Sequence, residues 1–215
     1  WLRDELTTIY EVEGSRYLKD VWEARNDYIR VLLDRSEKTR GEFFNKHAVR
    51  AIEPKEKVLC LKLLESQRHA MLMYTSCGWF FSELSGIETI QVMEYAARAL
   101  QLAEESSGRV FEAEFLIRLA HAKSNIPEWG DGKKIYEKMI KSKKLVLQDL
   151  AAFYAMRALL ENIPENELFY CYQFRPDSQH KESFGDLTAH FGEVRVRSLV
   201  TLEEETFIFA VVQTG

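Results

Sequence analysis

Residues 54–74 constrain the fold more than any other stretch, because they are apolar around almost the whole circumference of a helix. Pro54 suits the first turn, where the amide hydrogen that proline lacks would have no partner. Apolar side chains then recur on every face: Val58, Leu59, Leu61, Leu63, Leu64, Met71, Leu72 and Met73. A helix that is apolar on all sides is packed by several neighbours. The sequence therefore predicts a central helix inside a helical bundle.

Helical patterns also precede and follow this segment. Apolar residues recur at helical spacing in residues 1–13, 20–34, 36–47, 89–106, 111–122, 133–142 and 147–160. The helix over residues 89–106 combines one polar stripe with the small residues Ala96, Ala97 and Ala99, which favour close packing against a partner helix. We therefore expect a multi-helix bundle over residues 1–163.

The pattern changes to strands after Pro164 and the polar residues that follow it. Residues 168–174 are rich in aromatic side chains, and residues 194–197 alternate with period two. Residues 207–212 are apolar on both faces, as in a strand that is covered on both sides. We expect a mainly α protein, in which a short C-terminal antiparallel β region over residues 164–215 forms part of an incomplete sheet or sandwich. Helical pattern at one end and apolar strand at the other predict a chain truncated at both ends.

Composition excludes several partners. The 29 lysines and arginines are interspersed with 34 aspartates and glutamates, for a net charge of −5. A nucleic-acid-binding protein concentrates basic residues on one surface, so we expect no nucleic acid. A membrane span needs about 20 predominantly apolar residues, and no run approaches that length. Cys60, Cys77 and Cys171 lie far apart in apolar surroundings, which is typical of reduced core thiols in a cytoplasmic protein.

Catalytic signatures are scarce in the sequence. Glu65 and His69 are spaced i, i+4 on the central helix and could present two ligands to one metal. No second histidine lies at suitable spacing, so we expect neither a metal nor a cofactor. The simpler interpretation is a polar patch on a buried helix, satisfied by internal hydrogen bonds. A third hypothesis is a self-contained enzyme that uses the pair as acid and base.

Two aromatic segments stand out as candidate binding surfaces. Trp79 lies beside Ser76, Cys77 and Gly78 and is followed by two phenylalanines. Adjacent aromatic residues commonly cap a core, but a rigid indole next to small polar groups also suits the apolar face of a pyranose ring. Trp129 lies in a loop that carries acidic residues, where it is either a sugar-stacking platform or a plug between helices.

Several of these segments carry a family resemblance. Residues 64–81, LESQRHAMLMYTSCGWFF, resemble the signature of the helical region in a subgroup of glycoside hydrolase family 57-like proteins. The segments Gly86-Ile87-Glu88, Tyr95–Ala99, Ser124–Glu128 and Gly130–Gly132 resemble the same region in the same order. In that family an incomplete (β/α) barrel carries the catalytic carboxylates, and an aromatic segment of the helical domain leans over the sugar site of the barrel.

The resemblance implies an accessory C-terminal domain that supports a barrel in the same polypeptide and has no catalytic pair of its own. The full-length protein would be a glycoside hydrolase or glucanotransferase, and its ligand an α-glucan or oligosaccharide. The residues expected to contact the sugar are Trp79, Ser76, Cys77, Gly78, Glu83, His69, Glu65 and Trp129.

An alternative function is a non-enzymatic helical module that docks a protein partner through Trp79, Phe80 and Phe81. The polarity around these aromatic residues separates the two hypotheses. A sugar subsite needs convergent acceptors such as Glu65, His69 or Glu83, whereas a protein-docking patch has an apolar centre and a polar rim.

Overall fold

The apolar segment after Pro54 forms a helix of 19 residues, α5, over Pro54–Leu72. The computed structural model describes residues 1–214 and divides into two compact units between Lys144 and Leu145. Each unit has its own core.

The first unit is helical. Polar side chains fix several helix starts: the Asp20 carboxylate accepts from the amides of Trp22 and Glu23, and the Ser36 hydroxyl accepts from the amide of Thr39. The helices are α1 Leu2–Gly14, α2 Val21–Asp27, α3 Ile29–Leu33, α4 Glu37–His47, α5 Pro54–Leu72, α6 Cys77–Phe80, α7 Ile87–Ser107, α8 Glu112–Leu119 and α9 Gly132–Met139, followed by a 3₁₀ turn over Lys141–Lys143.

The helix α5 is central to this unit, as its composition predicts. It packs against α1 and α7, and every residue from Cys60 to Gln67 is buried. Leu6 of α1 and Leu100 of α7 are among the apolar residues buried with it. The buried stretch includes four polar residues, Lys62, Glu65, Ser66 and Gln67.

The second unit combines one helix with an antiparallel sheet. The helix α10 spans Leu147–Leu160. The strands are β1 Glu167–Phe169, β2 Tyr172–Phe184, β3 Leu187–Ser198 and β4 Glu204–Thr214, in the order β1-β2-β3-β4. Gly185 makes the turn between β2 and β3 with a positive φ of 60°, which glycine adopts without the steric cost that a side chain would add.

One face of α10 lies on this sheet and forms the second core. The ring of Tyr154 stacks on Phe174 at 5.5 Å between centroids and meets Phe209 edge-on at 6.0 Å. The buried residues of this core are Leu147, Leu150, Ala151, Tyr154, Ala155, Ala158, Phe174, Val194, Val196 and Phe209.

The expected fold class, a mainly α bundle with a short β region appended, is wrong. The strands β2, β3 and β4 have 13, 12 and 11 residues, and the sheet shares a core with a helix of its own. The sequence conceals the length of the hairpin because residues 178–183 are polar and show no apolar alternation. The sequence also places the seam at Pro164, whereas the compact units divide between Lys144 and Leu145.

The strand β4 is covered on one face, not on both as its composition indicates. Phe209 is buried in the second core, while Ile208 and Val212 are exposed. Successive side chains of a strand point to opposite faces, so an apolar run does not by itself show that both faces are covered.

The three cysteines occupy three different environments. All are free: Cys60 is buried, Cys171 is half-buried and Cys77 is exposed. The expectation of a core position is therefore wrong for Cys77, which begins α6 at the surface. Within residues 1–214, no helix combines the length and the apolar character needed to cross a bilayer.

Candidate functional site

The segment that follows α5 forms an exposed surface, which we call the aromatic corner and define as Trp79, Phe80 and Phe81. The exposed fractions of these residues are 73%, 75% and 52%. The two phenylalanine rings meet edge-on at 5.2 Å. The indole is therefore not part of the core of the bundle.

Gly78 allows the aromatic corner to lie against α7. Its carbonyl accepts a hydrogen bond of 2.9 Å from the Thr89 hydroxyl. A β-carbon at this position would lie 2.1 Å from Cγ2 of Val92. Only glycine permits this approach, so Gly78 fixes the place of α6 rather than offering a surface to a ligand.

Glu83 joins the aromatic corner to the loop that contains Trp129. Its carboxylate accepts from the Ser124 hydroxyl at 2.6 Å, from the Asn125 amide at 2.8 Å, and from the amide and hydroxyl of Ser85 at 2.9 and 3.1 Å. The hydrogen bond from Ser124, supported by those from Ser85 and Asn125, lowers the pKa of Glu83 to about 2. These bonds engage both oxygens within the protein itself.

Trp129 is half-buried and packs against the cluster that α7, α8 and α9 share. The Lys138 ammonium lies 4.5 Å from the centre of its ring. In the same loop, Asp131 accepts from the Lys134 amide and begins α9. Trp129 therefore fills a gap between helices, which is one of the two roles that the sequence left open.

Glu65 is buried inside the helical unit, and its carboxylate is already engaged by other side chains. Its carboxylate accepts from the Tyr28 hydroxyl at 2.7 Å, from Nη2 of Arg35 at 2.8 Å and from Nη1 of Arg68 at 3.1 Å. Burial opposes ionisation, but the hydrogen bonds from Tyr28 and Arg35 outweigh it and lower the pKa of Glu65. The polar patch on α5 is thus satisfied internally at this position.

His69 forms no hydrogen bond with Glu65 in the described residues. Burial lowers its pKa to about 4, so the imidazole is neutral at pH 7. Its ring lies 6.0 Å from that of Tyr95, and its buried Nδ1 has no hydrogen-bond partner in the described residues. Among residues 1–214, no group of three or more histidine, cysteine, aspartate or glutamate side chains is placed to hold a metal.

The structure thus separates the residues that the sequence grouped as sugar-contacting. Trp79 belongs to the aromatic corner, and Ser76, Cys77, Gly78 and Glu83 lie next to it in the chain. The loop of Trp129 is joined to Glu83 by hydrogen bonds. Glu65 and His69 lie on α5, where Glu65 is buried. Sequence reasoning missed the residues that hold the corner, Thr89, Val92 and Ser124. The glycine in an aromatic segment was the only local signal of such close packing.

A family model described as "Domain of unknown function (DUF3536)" matches residues 1–215. That description names no reaction and no ligand. No curated protein and no solved structure matches the chain at a significant level.

Proposed function

We propose that this chain, which belongs to the DUF3536 family of domains of unknown function, is an accessory domain that packs against a catalytic domain through the aromatic corner. The partner is the barrel of a glycoside hydrolase family 57-like protein in the same polypeptide, acting in carbohydrate metabolism. The resemblance of residues 64–81 to the helical region of such proteins supports this choice. Three free cysteines are compatible with a cytoplasmic setting.

The exposure of the aromatic corner carries this proposal. An aromatic side chain buries about 150–250 Å² when it is covered, at about 25 cal/mol per Å² of apolar surface. Leaving three such rings in water therefore forgoes several kcal/mol, by that order-of-magnitude conversion. Large apolar side chains held together at a surface are characteristic of interaction sites. Because Thr89 and Gly78 fix the corner on α7, little conformational freedom would be lost on docking.

The polarity around the corner favours protein packing over a sugar subsite. The Glu65 carboxylate accepts hydrogen bonds from Tyr28, Arg35 and Arg68. The Glu83 carboxylate accepts from Ser85, Ser124 and Asn125. The remaining polar side chains next to the rings, Ser76 and Ser82, are exposed. This apolar centre with a polar edge is the anatomy of a docking patch.

The same observation supports a second candidate, a non-enzymatic module that docks a separate protein through the corner. The two candidates share a surface and differ in what covers it. Both predict that the chain alone does not hydrolyse glucans, because neither candidate assigns a catalytic pair to it.

The test uses the full-length polypeptide and the double substitution Trp79→Ala and Phe80→Ala. We expect slower glucan hydrolysis and faster proteolytic separation of the two domains, with the free energy of unfolding of this domain changed by no more than about 0.5 kcal/mol. Leu33→Ala is the control, because Leu33 is 82% exposed and lies outside the corner. If the double variant matched the Leu33→Ala control in hydrolysis rate and in proteolysis, packing on the barrel would be contradicted. If the double variant kept its contact with the barrel but lost binding to a separate protein, the second candidate would be favoured.

A further inference from the structure

An open cleft of about 450 Å³ lies between α1, α2 and the end of α5, apart from the aromatic corner. Its size falls within the range of about 300–1,000 Å³ that is typical of small-molecule sites. The residues that line it are Arg3, Thr7, Trp22, Arg25, Gln67, Ala70, Met71 and Tyr74.

The charge of this cleft is opposite to that of the chain. Its lining holds two arginines and no acidic side chain, in a protein of net charge −5. Nε and Nη2 of Arg3 donate to the Asp4 carboxylate, but both side chains are exposed, and such pairs are weak. The cleft therefore favours an anion.

Arg25 is the better-held of the two cations. Its guanidinium lies 5.3 Å from the centre of the Trp22 ring, and its Nη1 donates to the Asn26 side chain. The indole is itself fixed, because its Nε1 donates to Glu11 at 3.0 Å. Nε of Arg25 is buried and has no acceptor in the described part of the chain. A guanidinium that is held in place and keeps unused donor capacity binds an oxyanion through charge-assisted hydrogen bonds.

The other side of the cleft is apolar. Ala70, Met71 and Tyr74 contribute this surface, and both Met71 and Tyr74 are exposed although they are large. The side chain of Gln67 also lines the cleft while its Nε2 donates to the Leu6 carbonyl. A ring with an apolar face suits the tyrosine and methionine surface.

We propose that this cleft binds a small phosphate monoester that carries a ring. The phosphate lies on Arg25 and Arg3, and the ring lies against Tyr74 and Met71. A phosphate monoester carries about −1.5 to −2 charges at pH 7, which matches two guanidiniums, whereas a carboxylate matches one. The ring comes from a sugar or from a nucleoside, since both present an apolar face.

The test is calorimetric titration of the whole chain with glucose 1-phosphate and with adenosine 5′-monophosphate as probes. We expect one saturable site for at least one ester, and the ester that binds identifies the source of the ring. Glucose and inorganic phosphate, each lacking one half of the ligand, are expected to bind at least about 10-fold more weakly. Absence of saturable binding for both esters, or equal affinity for inorganic phosphate, would overturn the proposal.

Substitutions then locate the site. Arg25→Gln is expected to weaken ester binding by about 10-fold or more, because it removes the charge-assisted contact. Arg30→Gln makes the same change of charge on the neighbouring helix α3, outside the cleft, and is expected to leave binding unchanged. If circular dichroism shows that Arg25→Gln perturbs the fold, Tyr74→Ala at the mouth gives the same comparison. Equal losses in the cleft variant and in Arg30→Gln would place the anion elsewhere.

None of the lining residues belongs to the aromatic corner, so this proposal is tested independently of the proposed docking function. The titration reports on the cleft alone, and the Trp79→Ala and Phe80→Ala double variant should bind the ester as the unsubstituted chain does.

Discussion

Gly78, which directly precedes the aromatic corner, packs closely against Val92 of α7. Replacing Gly78 by alanine would place a β-carbon 2.1 Å from a methyl carbon of Val92, too close without movement of the helix. We expect Gly78→Ala to lower the free energy of unfolding by about 1–3 kcal/mol, the usual cost of overpacking. Urea unfolding followed by circular dichroism measures this change.

Gly41 supplies the matched control for that substitution. It lies within α4, and a β-carbon there would have no neighbour within 4 Å. Gly41→Ala should therefore stabilise the protein by about 0.5–1 kcal/mol, since alanine favours a helix interior. Adding Val92→Ala to Gly78→Ala should recover part of the lost stability. If both glycine variants had the same stability, α6 would not be fixed by this contact.

Glu65 supports a second prediction at the scale of the residue. Glu65→Ala leaves the buried Tyr28 hydroxyl and Arg35 guanidinium without their acceptor. Removing one partner of a buried ion pair costs about 3–5 kcal/mol. Glu114→Ala is the control, because its pair with Arg118 is about half exposed on both sides and such pairs contribute about 0–1 kcal/mol. Chemical denaturation that gives the same loss for both variants would refute the structural role of Glu65.

Residue-level inference from the sequence succeeds only where the partners are local. The i, i+4 spacing correctly places Glu65 and His69 on one helix, but the carboxylate bonds to Tyr28 and Arg35, which lie more than 25 positions earlier in the chain. The exposure of Trp79 is also invisible to spacing, because adjacent aromatic residues pack equally well in a core. Local periodicity carries no information about such distant partners.

At the scale of the element, Glu83 holds two loops together. Its folded-state pKa of about 2 lies below the usual glutamate pKa of 4.5, so the ionised carboxylate stabilises the fold at neutral pH. That contribution is fully present above about pH 4.5 and is lost as the pH falls through this value toward 2. The pH dependence therefore reports on the connection between the corner and the Trp129 loop.

The substitution Glu83→Gln tests this connection. We expect it to lower the urea midpoint most at pH 7, with the difference from the unsubstituted protein shrinking between pH 4.5 and pH 2. Glu137→Gln is the control, since that carboxylate is exposed and lies 3.9 Å from the Lys133 ammonium, too far for a strong hydrogen bond. A difference between Glu83→Gln and the unsubstituted protein that is constant with pH would show that the ionised carboxylate is not what joins the loops.

Elements were predictable where the sequence marks their ends. Pro54 begins α5, and the apolar residues of α10 span Leu147–Leu160, which are the bounds observed. The break between α2 and α3 at Tyr28 was missed, because the helical period continues through it. The outer half of the β2–β3 hairpin was missed because exposed strands have no apolar face to reveal them.

At the scale of the whole molecule, the boundary between the two compact units depends on which unit contains α10. The helical period of the sequence predicts that one face of α10 is apolar, but it does not identify what covers that face. The sequence therefore grouped α10 with the preceding helices, whereas the structure places Leu150, Tyr154 and Ala158 on the sheet. An amphipathic helix packs equally well on helices or on a sheet, so this choice is made by tertiary contacts.

This arrangement predicts that the part of the chain from Leu145 onward folds by itself. All ten residues of its buried core lie after Leu145, and six of the ten belong to α10. A fragment of residues 145–215 should show a cooperative thermal transition by circular dichroism. A fragment that starts at Pro164 would expose Phe174, Val194 and Phe209 to water, and we expect it to be unfolded or aggregated. If the shorter fragment melted at the same temperature as the longer one, α10 would not be part of this folding unit.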